Sequence, residues 1–530
     1  MQNKKHPEGL MVLFFTEMWE RFGFYLMLGI FMLYMLASKD TSKPGMGYSL
    51  EEATDIYGSY LALVYLTPFI GGLLADRILG YRLSITLGGL FMAAGYFGLS
   101  IYNEKIFYIS LLLIIIGNGL FKPNISTLVG KLYDNNPQYK SNKDAGFSIF
   151  YLGINLGAFI CNFVAAYFRN KFGWGWAFAS AGIGMLLGLI WFWVGQLKVK
   201  NLSEADKISP VHKNDIALSV VFIRLLLPAI LASFIGWIIP GSIFGSNSND
   251  AFIFFSAFVV IFYILLYKKA ENNEKEQIGA LLSVFACVVV FWAIFHQNGA
   301  ALTIWAEKYT DRKIPQIIEN VADKLYLTQI VYNDPNVDPE GSKYFVNLPE
   351  NKIPENGMIK LFNAELFQSV NPAFIILFTP LIVGFFNFLK QRRRNVSTPE
   401  KIGWGMLITA ISSLIMVFAV IASKNGIMKV SPWWLISTYA VITIGELCLS
   451  PMGLSLVSKL SPQRMTALMM GGWFLSTAIG NKLSGVLSGM WDLYKNKAFF
   501  FVTNMILALI SVIIIFMLLP WLKKVVSKFE

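Results

Sequence analysis

At 530 residues, 55% hydrophobic and only 14% charged, the chain is far more apolar than a soluble globular domain, in which about a quarter of residues are charged. A net charge of +12 could suit a nucleic-acid binder, but the Lys and Arg residues recur in alternate connections rather than in one patch, so nucleic acid is excluded as a partner. All three cysteines lie inside apolar runs, where buried thiols are expected rather than disulfides or a metal site.

In chain order, "MQNKKHPEG" is short and polar, and the apolar run behind it is too long for a signal peptide. About fourteen apolar runs follow, each long enough to cross a ~30 Å hydrocarbon core as a helix. They are centred near residues 23, 62, 91, 118, 156, 185, 228, 259, 293, 376, 411, 445, 477 and 511. The fold class is therefore an all-α polytopic membrane protein, with the lipid bilayer as a partner. Basic connections such as "DRILGYR", "YKKAENNEKEQ" and "LKQRRRNVSTPEK", with the tail "LKKVVSKFE", fall on one side, which places both termini in the cytoplasm.

Two stretches interrupt the short connections. Leu197 to Asp215 is polar and precedes two strongly apolar runs; Lys308 to about Lys360 is rich in Asn, Pro and acids, and loops of that length are usually functional or disordered. Setting the two mid-chain helices aside leaves six on each side. The expected domains are a six-helix bundle over 1–197, a linker with two extra helices over 198–276, and a second six-helix bundle over 277–530 with an external loop at about 309–362. Parallel repeats of this kind hold their binding site between the halves, near the bilayer midplane.

Charged side chains inside a membrane cost about 2.5–3.5 kcal/mol each on insertion scales and usually face a partner or water. In "TEMWERFGFYLM", Glu17, Arg21 and Tyr25 are spaced i, i+4, i+8, and Glu20 lies three residues after Glu17, so all four share one helix face. One Arg between two acids leaves a negative charge in excess, which a proton can neutralise. The cluster suits an ion-coupled pump; the alternative is a permanent ion cluster that pins helix packing. "GNGLFKPNIS" puts Lys122 mid-membrane beside Pro123, and "IGELCLSPMG" puts a lone Glu446 in the second half. Cation and anion on opposite sides of the cleft could grip the two ends of a zwitterion.

These residues carry a resemblance. "TEMWERFGFY" resembles the E-x-x-E-R motif of the proton-dependent oligopeptide transporter (POT, or PTR) family of the major facilitator superfamily. "GGLLADRILGYR" and "FYLGINLG" resemble its two signatures, and "GLFKPNIS", "QSVNPAF" and "IGELCLSPMG" follow in the family's order. The resemblance implies a major facilitator fold and proton-coupled symport of di- and tripeptides by alternating access, with protons as the coupling ion and no cofactor. It implies proton coupling by Glu17, Glu20 and Arg21. It further implies that Arg21 and Lys122 attract the peptide carboxylate, with Tyr25 nearby as a hydrogen-bond donor, that Glu446, aided by Asn155 and Asn371, attracts the amino terminus, and that Tyr65, Trp292 and Trp473 line side-chain pockets. Asp76, Arg77 and Arg82 fit gate-loop roles. The two extra helices resemble those of prokaryotic members and imply a bacterial inner membrane; a monomer is expected.

The chain departs from the family at the outer gate. Leu28 stands where many members carry Arg on the first helix, and His296, in "FWAIFHQNG", stands where its Glu partner is usual. Losing both together avoids an orphaned buried ion. The position of a second-helix His in animal members matches Gly58. His296 is thus the only intramembrane histidine and a candidate proton switch. Other readings are the same fold carrying a nitrate-like anion or amino-acid derivative, and a non-transporting peptide sensor. A membrane-embedded enzyme is disfavoured, because no nucleophile–base set, metal-ligand cluster or phosphate-cradling loop is present.

Overall fold

The computed structural model describes residues 6–135, 138–139, 142–198, 218–393, 396–462 and 465–529. Helices dominate: α1 (Gly9–Leu36), α2 (Leu50–Leu74), α3 (Tyr81–Leu99), α4 (Glu104–Asp134), α5 (Lys143–Phe172) and α6 (Trp174–Lys198) come first. A hairpin of α7 (Leu227–Ile238) and α8 (Asn247–Lys269) is inserted next. Then come α9 (Asn272–Phe295), the short α10 (Ala301–Tyr309), and α11 (Gln316–Lys324) with strands β1 (Thr328–Tyr332) and β2 (Met358–Phe362). The chain closes with α12 (Val370–Gln391), α13 (Thr398–Ala422), α14 (Trp433–Leu460), α15 (Thr466–Gly489) and α16 (Lys497–Phe529).

Eleven of the described helical segments are long and apolar enough to cross a membrane. The Phe222–Ile238 segment is apolar but shorter, α1 carries its three charges, and α15 contains Lys482 among glycines and serines. Local signals fix helix ends: Ser49 and Glu52 form a reciprocal capping box on α2, and Asn103 caps α4 by accepting from the Ile106 amide at 3.1 Å. The polar linker falls, over residues 199–217, outside the described residues.

Buried apolar side chains form two large clusters, one from residues 10–192 with Ala300 and Ile304, the other from residues 221–526. Small residues let helices meet closely, as membrane packing requires where lipid tails give no hydrophobic drive. A Cβ at Gly71 of α2 would lie 1.9 Å from the Gly119 carbonyl oxygen of α4. Overpacking costs about 1–3 kcal/mol, occasionally more, and here the obstacle is backbone. Gly71→Leu is therefore expected to destabilise by about 3 kcal/mol or more, read as a lowered melting temperature of the detergent-solubilised protein; an unchanged melting temperature would contradict this packing.

The long segment that runs from the end of α10 to the start of α12, over 309–369, is a folded unit rather than an open loop. Strands β1 and β2 pair antiparallel from Thr328↔Phe362 to Tyr332↔Met358. Val331, Tyr344, Phe345, Leu348, Ile359 and Leu361 make a core of their own beside them. The unit ties to the first half at α5: Asn170 and Asn363 exchange amide hydrogen bonds at 2.7 and 3.0 Å, and Arg169 pairs at 2.6 Å with Glu365, which is fully buried. On its other flank, Asn347 donates to the Gly426 carbonyl and Lys429 to the Lys308 carbonyl. Thus the two halves are bridged at the end that carries this unit.

Candidate functional site

The α1 cluster forms as its spacing predicts. Arg21 donates to Glu20 through Nε and through the second guanidinium nitrogen, the latter at 2.5 Å, and its Nε lies 3.3 Å from Glu17 Oε1. All three are buried, Glu20 completely. A guanidinium fork matched to one carboxylate is the strong geometry for such a pair. The second Glu17 oxygen, Oε2, is buried without a hydrogen-bond partner among the described residues. Asn118 of α4 donates to Glu20 Oε1 at 3.4 Å.

Packing of α4 against α1 changes the charge count. Lys122 lies within electrostatic range of Arg21, Glu20 and Glu17. The sequence left the cluster with one unbalanced acid; in the fold two acids face two bases, and the odd charge of the whole site is Glu446. Lys122 Nζ sits 4.3 Å above the Tyr65 ring, a cation–π contact that partly replaces lost water.

From the other half, Asn371 of α12 donates to Glu446 Oε2 at 3.1 Å and to Thr443 Oγ1 at 2.8 Å. Glu446 lies within electrostatic range of Tyr25, Tyr65 and Tyr151, all on the first half. Tyr25, Tyr65, Lys122, Tyr151 and Glu446 remain only part-buried though each lies well inside its helix. Polar groups partly open at such depth line a crevice that water or solute can reach. One side therefore carries Lys122 and the three phenols, with the buried Arg21 beside them, and the other side carries Glu446.

The remaining expected residues divide. His296, in a 3₁₀ turn after α9, packs its ring against Tyr65 at 5.5 Å and Trp292 at 5.3 Å, with Nδ1 3.3 Å from the Trp292 carbonyl oxygen. These contacts join His296 and Trp292 to the Lys122 side of the crevice. Asn155 turns inward on its own helix, donating to the Tyr151 carbonyl at 2.8 Å. Trp473 sits apart, 3% exposed, its ring filling the notch at Gly453 and meeting Phe285 edge-on. Near the helix ends, Asp76 accepts from the Tyr81 hydroxyl and Arg82 Nε donates to Gln196 at 2.6 Å, tying α3 to α6.

Tyr151, Asn118 and Thr443 were not singled out by sequence, although the first two stand inside quoted motifs. For Asn118 and Thr443 the available signal was a polar side chain three or four residues from a motif charge on the same helix face; Tyr151 stands four residues before the motif amide Asn155.

The POT family model matches residues 82–325 and 357–527. The chain is 32% identical over 499 residues to the uncharacterized transporter YclF of Bacillus subtilis (strain 168), covering 93% of this chain and 90% of that protein. It is 30% identical over 526 residues to a di-/tripeptide transporter of Lactococcus lactis subsp. lactis (strain IL1403), covering 98% and 96%. Its fold is similar, at a TM-score of 0.77 and 28% identity, to a crystal structure of a POT family transporter in complex with 5-aminolevulinic acid, over 98% of this chain and 97% of that one.

Proposed function

The chain belongs to the POT family, and on that premise we propose that it carries di- and tripeptides across a membrane together with protons, by alternating access. The observation that supports this most is the pairing of a cationic side (Arg21, Lys122), lined with part-open phenols, with an anionic one (Glu446). A zwitterion's carboxylate is drawn to Lys122 and Arg21, with Tyr25 in reach as a hydrogen-bond donor, and its ammonium to Glu446. Once the carboxylate engages the two bases, Glu17 loses part of their field, and a proton on its unpartnered oxygen restores the balance. The peptide carboxylate and the Glu17 carboxylate thus compete for the same positive charge, and the proton that Glu17 takes up when it loses couples peptide to proton.

The alternation of basic connections supports a reading with both termini in the cytoplasm and the 309–369 unit outside. A bacterial inner membrane, a monomer and no cofactor beyond the proton complete the reading. Asn371 orients Glu446 and Trp292 packs on His296, while Asn155 and Trp473 are held within their own halves.

Uptake of labelled dialanine, nitrate and 5-aminolevulinate into proteoliposomes tests the substrate class. Dialanine entry, with nitrate excluded, is expected. Entry of 5-aminolevulinate in place of dialanine would favour an amino-acid derivative, a reading supported by the structurally similar transporter that binds it.

His296 adds a second proton-sensitive group. Among the described residues its neighbours are Tyr65, Trp292 and Phe295, with the Lys122 charge in range, and no carboxylate touches the ring. An imidazolium here has no counter-charge among the described residues, and water entering an opened crevice supplies what the ring then lacks. Acid outside therefore favours opening. His296→Gln is expected to flatten the pH dependence of uptake; a wild-type profile would reduce His296 to a lining residue.

A further inference from the structure

At the end bearing the 309–369 unit, α2 of the first half meets α15 of the second at a glycine seam. A Cβ on Gly58 would lie 2.9 Å from the Gly485 Cα, and one on Gly485 would lie 2.6 Å from the Thr54 carbonyl oxygen. One turn from this seam, Lys482 of α15 reaches Asp55 of α2 at 2.5 Å, with side chains 5% and 25% exposed.

An ammonium carries three N–H donors. Lys482 places them on Asp55 Oδ1 at 2.5 Å, Ser59 Oγ at 2.7 Å and Ser248 Oγ at 2.7 Å. The third acceptor stands on α8, in the inserted hairpin. Ser248 in turn aims its own hydroxyl at the Asp55 carboxylate, 2.6 Å from both oxygens. Its position is held: Ser246 caps α8 through the Asn249 amide, and the fully buried Asp250 accepts from the Ile243 and Phe244 amides in the α7–α8 turn. At the far end of α8, the Tyr263 hydroxyl donates to the Leu468 carbonyl of α15 at 2.6 Å.

We propose that the inserted helix pair is the third arm of the outer latch, and that Ser248 is a positioning residue which holds Asp55 and Lys482 together when the outer side is closed. Because α8 is fastened to α15, it travels with the second half. When α2 moves away, Lys482 loses both acceptors on α2 and keeps only the one on α8. The hairpin thus completes the ammonium's coordination in the closed state and supplies one remaining partner while the seam parts. This latch stands in a chain that has Leu28 and His296 in place of an ion pair between α1 and α9. It rests on the alternating-access reading, not on the identity of the solute.

Spin labels on Glu51→Cys and Leu493→Cys, both exposed and one on each half, report the outer separation by double electron–electron resonance. The three native cysteines are buried and do not compete for label. Distances are read in proteoliposomes with neither peptide nor pH gradient, so failure of the transport assignment would leave this result standing. The closed-to-open ratio is expected to fall about tenfold in Asp55→Asn and about threefold in Ser248→Ala, with Ser248→Thr restoring it. Should Asp55→Asn fail to reach the membrane, the single-hydroxyl pair Ser248→Ala and Ser248→Thr decides alone. A wild-type distance distribution in Ser248→Ala would overturn the proposal, whatever Asp55→Asn does.

Discussion

Glu17→Gln is expected to abolish accumulation of dialanine driven by an inward proton gradient while leaving a fraction of downhill exchange. A one-unit gradient holds about 1.4 kcal/mol per proton, enough for about tenfold accumulation at one proton per peptide. In the variant the ratio should fall to about one, because an amide cannot take up and release the proton. The geometry singles out Glu17 rather than Glu20. Glu20 is locked in the guanidinium fork of Arg21, whereas Glu17 touches Arg21 at 3.3 Å through one oxygen and leaves the other without a partner. Glu20→Gln should lose accumulation as well, together with much of the exchange, because Arg21 is then left buried beside a weaker partner. Unchanged accumulation in both variants would make the cluster a packing device.

The second large effect concerns the two ends of the substrate. Lys122→Ala should weaken uptake of dialanine about 30-fold or more, the equivalent of about 2 kcal/mol for truncating one partner of a buried charged contact. Dialanine amide, which has no carboxylate to lose, should suffer far less. Glu446→Ala should act in the mirror sense, penalising dialanine more than its N-acetyl analogue. Asn371 holds Glu446 by a 3.1 Å hydrogen bond, so Asn371→Ala is expected to follow Glu446→Ala in direction with a smaller loss. Equal losses for free and blocked peptides would place both charges in gating or packing instead.

Much of this site was legible in the sequence because lipid makes intramembrane charge conspicuous: Glu17, Glu20, Arg21, Lys122 and Glu446 each stand out from an apolar run. What the sequence could not supply was adjacency. Nothing along the chain says that α4 lies against α1, so the balancing of Glu17 and Glu20 by Lys122 appears only in the fold. The latch was missed for a related reason. Asp55 follows Glu51 and Glu52 and reads as part of a polar helix end, while Lys482 sits among Asn, Ser and Gly in "GNKLSGVLSG". Their significance depends on α2 meeting α15 and on α8 supplying Ser248. Gly58, noticed only as a replacement for a histidine, has a steric reason in the backbone of Gly485. The 309–369 unit was obscured because its strands are five residues each and its core comes from short, separated apolar pairs.

The central claim is that a proton gradient and a peptide are moved by the same site. Purified protein in sealed proteoliposomes, given labelled dialanine outside and a more acidic exterior, tests it most directly. Internal dialanine is expected to rise above the external concentration and to return to equilibrium when a protonophore collapses the gradient. Uptake that stops at equilibrium and ignores the protonophore would contradict the account.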